Sequence, residues 1–157
     1  TRTGCFLNGC DFGIPAAVPW AVRFPRDRVA AGVRPGPSPA WQQHFETGAS
    51  FRGESVGAAS AWSLPVHPTQ IYEAALGVVL FAVLLLVWRR KRFAGEVFLV
   101  LIIGYGLGRA LIECFRGDAL RGAVGPLSTS QVLGLATALA AALAAWKLRG
   151  RRAGAIG

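Results

Sequence analysis

The sequence predicts an all-α fold: a polytopic membrane helical bundle with three transmembrane helices and an irregular extracytoplasmic segment. Hydrophobic residues make up 53% of the 157-residue chain although its formal net charge is +9, which suits a membrane protein better than a soluble domain. The apolar residues concentrate after Pro65 in three runs, 71–88, 97–115 and 130–148. Each run is close to the ~20 residues that cross about 30 Å of hydrocarbon as a helix. Helices are expected because lipid offers the backbone no other hydrogen-bond partners.

Buried helices of a soluble bundle are the alternative interpretation of these runs. Residues 78–88 and 136–146 lack the polar stripe at helical spacing that a helix at the surface of such a bundle would need. Basic clusters instead follow the first and third runs, at 89–92 and 147–152, where anionic lipid headgroups would lie. The high basic content therefore favours membrane lipids as partners and argues against nucleic acid.

The two basic clusters also predict an orientation. Both lie on one side if all three helices cross, and the positive-inside rule makes that side cytoplasmic. Residues 14–65, rich in Pro, Gly, Ser and Arg, are then expected to form a periplasmic loop or cap without a core of its own. Residues 1–13 form a segment near the outer membrane face, residues 116–128 also face outward, and residues 66–157 carry the helices and a cytoplasmic C terminus.

The first residue and the cysteines of the chain give less information about fold and function. Because the chain begins with Thr1, contains no Met and shows no signal-peptide pattern, we expect it to be a fragment of a longer protein. Cys5 and Cys10 could form a disulfide if they lie on an oxidising face of the membrane. Buried or packing thiols are the simpler interpretation for these two residues and for Cys114. No second Cys or His pair has suitable spacing for zinc, so no metal is predicted.

Polar and charged residues of the predicted spans all lie at the outer level of the bundle. Such groups cost several kcal/mol in lipid unless they are paired or hydrated, so they mark function more often than in soluble helices. They are His67, Gln70, Tyr72 and Glu73 in the first span, Arg109, Glu113 and Arg116 in the second, and Ser128, Thr129, Ser130 and Gln131 at the entry to the third.

Arg109, Glu113 and Arg116 are spaced by four and three residues, which predicts that all three lie on one helical face. Such a face could hold a phosphate in guanidinium forks while the carboxylate orients one of them. The alternative is a charge ladder that ties helices together or reaches to the interface. The same depth argument and the same alternative apply to Glu73, and His67 could be no more than a capping or interface residue.

Three glycines precede Arg109 at alternate positions. Gly104, Gly106 and Gly108 are small enough to let a neighbouring helix approach closely, and packing is their default role. Close approach could also bring Arg109 toward Glu73 of the first span.

Three stretches together resemble a known family. They are residues 2–13 (RTGCFLNGCDFG), residues 67–73 (HPTQIYE) and residues 104–116 (GYGLGRALIECFR). In order and spacing they resemble the carboxy-terminal half of the bacterial prolipoprotein diacylglyceryl transferase family, and Ser130-Gln131 resembles the start of its corresponding last helix.

The resemblance implies a multi-pass enzyme of the bacterial inner (cytoplasmic) membrane with its active site toward the periplasmic side. Its partners would be phosphatidylglycerol, prolipoprotein signal peptides with a lipobox cysteine, and membrane lipids. The implied reaction moves the diacylglyceryl group of phosphatidylglycerol onto the cysteine thiol, as the first step of lipoprotein maturation, and needs no cofactor. The products are a thioether-linked lipid and glycerol phosphate.

The resemblance also assigns roles to individual residues. Arg2 matches the arginine of the family's signature, Asn8 and Gly13 match its later asparagine and closing glycine, and Glu73 ends the His-Pro motif. Arg109 and Glu113 match the family's essential Arg and Glu. We therefore expect catalytic roles for Arg2, Glu73, Arg109 and Glu113, and substrate-binding roles for Asn8, Gly13, His67, Gln70, Tyr72 and Arg116.

Two departures accompany the resemblance. Cys5 stands where the commonest family signature has asparagine, and Cys10 where it often has glutamate. The family's amino-terminal helices, with a His-Gly-Gly segment that carries a proposed catalytic histidine, have no counterpart here, so this fragment alone is expected to be inactive. The alternative function is a non-enzymatic membrane protein, for lipid binding or assembly, that keeps the helical framework; Cys5 and Cys10 are its best support.

Overall fold

A computed structural model describes residues 2–28, 36–117, 123–124 and 127–153, and these ranges contain five helices and two short antiparallel hairpins. In chain order the elements are α1 (Arg2–Asn8), α2 (Pro39–Glu46), β1 (Ser50–Phe51), β2 (Glu54–Ser55), α3 (Thr69–Arg90), α4 (Glu96–Glu113), β3 (Ala123–Val124), β4 (Leu127–Ser128) and α5 (Thr129–Ala153). The chain divides into two compact units. The first comprises Thr1–Glu73 with Phe115–Ala119, and the second comprises Ala74–Cys114 with Leu120–Gly157.

The first unit contains a small hydrophobic core. Two clusters of buried side chains form it: Phe12, Phe24, Ala40 and Val66 in one, and Trp41, Val56 and Leu64 in the other. The expectation that residues 14–65 lack a core of their own is therefore wrong. Their aromatic and aliphatic residues are too scattered to give a periodic pattern, and backbone bridges such as Val22 to Val66 gather them across the sequence.

Helix α2 supplies the framework of this core. Its start is well specified, since Pro39 occupies the first turn and Ser38 Oγ accepts a hydrogen bond from the Trp41 N–H at 3.3 Å. The Trp41 indole N–H in turn donates to the Ser60 carbonyl at 2.9 Å. His44 packs edge-on against Phe12 with ring centroids 5.5 Å apart, and burial lowers the pKa of its imidazole, so this core holds the neutral ring.

Helices α3 and α5 are long and apolar enough to cross a membrane. Only 6% of the most apolar window of α3 and 11% of that of α5 are buried, whereas a core helix of a soluble protein would be mostly buried. Large apolar side chains such as Phe81, Leu86 and Trp146 are exposed instead, which suits a lipid environment. These findings support a mostly helical membrane protein.

Helix α4 is apolar but carries three charged residues, Glu96, Arg109 and Glu113, within its 18 positions. By length and composition the described residues therefore offer two candidate spans, and the predicted count of three is not confirmed. The predicted bounds of the three runs nevertheless agree with α3, α4 and α5 to within a few residues at most ends.

The glycines of α4 let its neighbours approach closely, as the sequence predicts. A Cβ added to Gly106 would lie 2.5 Å from the Gly134 carbonyl oxygen of α5, and one added to Gly104 or Gly108 would lie 2.5 Å from a leucine side chain of α3. Small residues on two sides of α4 thus allow both neighbours to pack against it.

The Gly106 contact gives a stability prediction. Gly106→Ala is expected to lower the free energy of unfolding by about 1–3 kcal/mol, because the methyl group meets backbone that cannot move away cheaply. Gly77→Ala in α3 is the matched control: no atom lies within 4 Å of its added Cβ, so better helix propensity should raise stability by up to about 1 kcal/mol. Thermal unfolding of the full-length protein in detergent, followed by tryptophan fluorescence, distinguishes them. Equal stability of the two variants would contradict close packing at Gly106.

Candidate functional site

The first part of the candidate site is the turn that ends α1. After Asn8 the chain enters the left-handed region at Gly9, with φ of 73°. The Gly9 N–H bonds to the Phe6 carbonyl at 3.2 Å, and the Cys10 N–H bonds to the Cys5 carbonyl at 3.1 Å. This pair of hydrogen bonds is a Schellman motif, which satisfies the last carbonyls of the helix and reverses the chain.

Four alternating charges in the first unit form what we term the ion-pair ring: Arg2, Asp11, Arg116 and Glu73. Arg2 Nη1 lies 3.1 Å from Asp11 Oδ2, and Arg2 Nε lies 2.5 Å from Glu73 Oε2. Arg116 closes the ring through Nη2 to Asp11 Oδ1 and through Nη1 to Glu73 Oε1 at 3.5 Å. Each cation thus contacts both anions, and the ring has no net charge.

The ring is buried on one side and open on the other. The side chains of Arg116 and Glu73 are 3% and 7% exposed, whereas that of Arg2 is 36% exposed. Buried charges are tolerated only when they are paired and hydrogen-bonded. Arg116 therefore acts as a buried anchor, and Arg2 is the member that an incoming anion can reach most easily.

Asp11 is a member of the ion-pair ring that the sequence did not predict. It adopts φ of 56° directly after the Schellman turn, a region that aspartate tolerates better than most residues. No local pattern in the sequence indicates this pairing, because Asp11 contacts Arg116, which is 105 positions away.

Arg116 does not share a helical face with Arg109 and Glu113, so that expectation is wrong. Helix α4 ends at Glu113, and the Cys114 N–H bonds to the Leu111 carbonyl at 3.2 Å in a tightened last turn. Beyond it Arg116 pairs with Gly13 in an antiparallel backbone bridge. The i, i+7 spacing of Arg109 and Arg116 is thus no evidence of a shared face, because the helix stops between them.

Arg109 and Glu113 form the predicted i, i+4 ion pair in the second unit. Arg109 Nη2 lies 3.1 Å from Glu113 Oε2, and the two side chains are 12% and 6% exposed. A cavity of about 440 Å³ lies beside the pair. Its lining is mostly apolar or small: Ile102, Tyr105, Gly106 and Arg109 from α4, and Ser130, Leu133, Gly134 and Thr137 from α5.

This cavity combines one cation with apolar walls, which suits a ligand with an anionic group and hydrocarbon chains. Tyr105 lies one helical turn before Arg109, on the same face, and its side chain was not singled out by sequence reasoning. Its position four residues before Arg109 is the sequence signal for this placement.

Gly13 and Gln70 help to build the first unit around the ring. A Cβ at Gly13 would lie 2.6 Å from both the His67 Cβ and the Phe115 carbonyl oxygen, so only glycine fits where these segments meet. Gln70 is buried at the start of α3, and its Nε2 donates to the Cys10 carbonyl at 2.5 Å. Thr69 Oγ1 likewise donates to the Asp11 carbonyl at 2.5 Å. These contacts hold the Schellman turn at the end of α1, here termed the signature turn, in place.

Asn8 and the α5 entry also make structural contacts. Asn8 Oδ1 accepts a hydrogen bond from Arg28. At the start of α5, Ser128 Oγ accepts from the Gln131 N–H at 3.1 Å, and Gln131 Oε1 accepts from the Ser128 N–H at 2.9 Å. This is a capping box, so the polar entry to the last helix is in part a helix cap.

His67 and Tyr72 are connected by a hydrogen bond in the first unit. His67 Nδ1 lies 2.9 Å from the Tyr72 hydroxyl, and the Trp20 indole N–H donates to the same hydroxyl oxygen at 2.7 Å. Because an indole N–H can only donate, the Tyr72 proton is available to His67 Nδ1.

Cys5, Cys10 and Cys114 are free thiols. Across the described ranges, one group of potential metal ligands is close enough to share an ion: Cys5, Cys10 and Asp11, whose ligand atoms lie within 4.8 Å of one another. Asp11 is already paired with two arginines. Burial, together with Cys10 and Asp11, raises the pKa of the Cys5 thiol to about 11, which disfavours the thiolate that a metal requires.

Comparison with known proteins gives one consistent result. The sequence profile described as prolipoprotein diacylglyceryl transferase matches residues 1–147. The chain is 38% identical over 142 residues to the phosphatidylglycerol–prolipoprotein diacylglyceryl transferase of Erwinia tasmaniensis, covering 88% of the chain and 44% of that protein. The similarly named protein of Yersinia enterocolitica is 39% identical over 144 residues (88% and 45%), and that of Clostridium tetani 35% over 136 residues (87% and 42%).

The chain spans less than half the length of these curated relatives. No solved structure matches it.

The ion-pair ring predicts that Arg116 stabilises the first unit. Arg116→Met is expected to lower the free energy of unfolding by about 3–5 kcal/mol, because it leaves two carboxylates beside a single cation in a mostly buried site. Arg23→Met is the control, since the Arg23–Glu54 pair is 2.6 Å apart but 41% and 56% exposed, and should cost at most about 1 kcal/mol. Chemical unfolding of the two full-length variants in detergent compares these values. A cost for Arg116→Met no larger than that for Arg23→Met would contradict the ring.

Proposed function

The chain belongs to the prolipoprotein diacylglyceryl transferase family, and we propose that the protein containing it transfers the diacylglyceryl group of phosphatidylglycerol to a lipobox cysteine of prolipoproteins. The observation that carries the proposal is 35–39% identity to relatives named for this enzyme, along 87–88% of the chain. The activity is assigned to the whole protein, of which this chain supplies the part that resembles the carboxy-terminal half.

We place the protein in the bacterial inner membrane, with α3, α4 and α5 as three spans and the C terminus in the cytoplasm. The basic residues that follow α3, at 89–92, and the cluster that begins at Lys147 support this orientation. Glu113 of α4 is paired with Arg109, which lowers the cost of both charges in lipid. Residues 1–13 and the cap of residues 14–65 then face the periplasm.

The reaction requires one bond to form and one to break. The cysteine thiolate attacks the terminal glyceryl carbon that bears the phosphate ester, a carbon–sulfur bond forms, and the carbon–oxygen bond breaks. The bonding electrons leave with the oxygen as glycerol phosphate, and the thiol proton passes to a base. Charge therefore develops on the leaving phosphate, and cations fixed beside it would lower the barrier.

We assign the phosphate contact to Arg109. Its guanidinium lies beside the apolar cavity between α4 and α5, which suits a lipid whose phosphate meets the cation while its chains lie along the walls. Glu113 orients Arg109 through their 3.1 Å ion pair, and Tyr105 lines the same cavity. Arg2, the most accessible member of the ion-pair ring, is a second candidate for contact with an anionic substrate group.

The other members of the first unit are assigned positioning roles. Glu73 is ion-paired with Arg2 and Arg116, so we assign it to holding Arg2 and not to proton transfer. Asn8, Gly13 and Gln70 support the signature turn, while His67 and Tyr72 remain candidates for contact with the substrate. We place the base in the upstream His-Gly-Gly segment that the family resemblance implies. No finding favours a non-enzymatic lipid-binding or assembly role.

The phosphate role of Arg109 is tested by Arg109→Lys. A lysine keeps the charge but loses the planar fork, so we expect kcat to fall by about 10²–10³-fold while the protein still folds. The measurement is glycerol phosphate release by the full-length protein in detergent, with phosphatidylglycerol and a lipobox peptide. Arg149→Lys, at an arginine that is paired with Glu96 at 2.8 Å, is the matched control and should keep full turnover. Full turnover by Arg109→Lys would exclude bidentate phosphate recognition.

A further inference from the structure

Cys5 and Cys10 lie together at the end of α1, and the proposed chemistry uses neither. In a Schellman motif the residue three positions before the cap and the second residue beyond it come into side-chain contact. Here those two residues are Cys5 and Cys10, because α1 ends at Asn8. The Cys10 N–H bonds to the Cys5 carbonyl at 3.1 Å, and Cys10 Sγ donates to the same oxygen at 3.6 Å.

The spacing of the two thiols suits a covalent bond. Their sulfur atoms lie within 4.8 Å of each other, and both thiols are free. A disulfide needs the sulfurs at about 2.05 Å, a distance that side-chain rotation can reach when the backbones are already adjacent. We propose that Cys5 and Cys10 are a redox pair that forms an intramolecular disulfide across the C-terminal turn of α1.

A metal site is the competing use of the same atoms, and the surroundings disfavour it. The third potential ligand, Asp11, is held by Arg2 and by the buried Arg116. Two sulfurs would remain, whereas structural zinc takes four ligands. A disulfide requires nothing from Asp11 and leaves the ion-pair ring intact.

The oxidation is a thiol–disulfide exchange. Each cysteine loses its proton, the sulfur–sulfur bond forms, and the two electrons reduce the disulfide of the oxidant to two thiols. Oxidised glutathione or a thiol–disulfide oxidoreductase supplies that disulfide. Burial, followed by the effects of Cys10 and Asp11, raises the pKa of the Cys5 thiol to about 11, so Cys5 is a weak nucleophile for the first step of the exchange.

The bond would close the turn that separates Arg2 from Asp11. A covalent link there restricts the unfolded chain and holds Gly9, a left-handed residue inside the closed loop, in its native conformation. The oxidised protein is therefore expected to be more resistant to unfolding than the reduced protein. Oxidation in cells, as distinct from the ability to oxidise, rests on the proposed periplasmic placement of this segment.

Peptide mass measurement tests the pair directly. The full-length protein in detergent is equilibrated with oxidised glutathione, treated with N-ethylmaleimide without reduction, and digested with trypsin. Cleavage after Arg2 and Arg23 releases a peptide that contains Cys5 and Cys10 but not Cys114. We expect this peptide to carry no maleimide and to be lighter than the reduced peptide by the mass of two hydrogen atoms. This oxidised form should be at least about tenfold more abundant than after dithiothreitol treatment.

The controls separate the alternatives. Cys5→Ser and Cys10→Ser should each give a peptide whose remaining thiol is alkylated or glutathionylated. In the protein without substitutions, a peptide that carries two maleimide groups or two glutathione groups would overturn the proposal. A disulfide between two copies of the peptide would also overturn it. Thiols protected only when zinc is added would also overturn it, in favour of a metal site.

The same peptide from acid-quenched cells reports the compartment. Oxidation there supports both the pair and the outward placement of residues 1–13. A peptide that is reduced in cells but oxidised by glutathione in detergent would support the pair and contradict the placement. Because neither readout uses transferase activity, failure of the pair and failure of the proposed function are distinguishable.

Discussion

The first unit depends on neutralising two arginines that its fold brings together. Arg116 is almost fully buried, and burying a guanidinium without an anion would cost more than the fold could offset. Asp11 and Glu73 supply that charge from two other segments, so the ring joins the end of the signature turn, the start of α3 and the chain after α4. The hydrogen bonds that Thr69 and Gln70 donate to the same turn reinforce this junction.

The second unit depends on a different constraint, which is close contact without polar side chains. Gly106 and Gly134 let the α4 and α5 backbones approach each other, and the remaining surface of α3 and α5 is largely exposed and apolar. In lipid such surface gains nothing by burial, so packing of small residues is what associates the helices. The same small residues leave room for the cavity beside Arg109, so helix packing and the candidate lipid site have a common origin.

The sequence predicted those features that depend on local pattern. Apolar runs of sufficient length located α3, α4 and α5, and the i, i+4 spacing of Arg109 and Glu113 predicted their ion pair. The polar residues predicted at the entry to the third span do lie at the start of α5, although the capping box of Ser128 and Gln131 was not predicted. The sequence did not predict features that depend on contacts between distant parts of the chain. Asp11 pairs with a residue 105 positions away, and no periodicity reports such a pairing.

The small core of the first unit was not predicted for a related reason: its members come from loops and a short helix, with no repeating interval. Arg116 was misassigned because helical spacing carries no information about where a helix ends. The tightened last turn of α4, at Cys114, is visible only in the backbone hydrogen bonds. Cys5 and Cys10 lie together for a reason that is visible only in the backbone, since a Schellman turn pairs residues five positions apart.

The most direct test of the account is a double-mutant cycle between Asp11→Asn and Arg116→Gln, measured as the free energy of unfolding of the full-length protein. Both changes remove a charge: Asp11→Asn keeps the size of the side chain, and Arg116→Gln shortens it but keeps a polar end. If the ring organises the first unit, the two changes should be non-additive by about 1–3 kcal/mol, because either one alone already breaks the same interaction. Additivity to within about 0.5 kcal/mol would contradict the account, since it would mean that the two charges stabilise the protein independently.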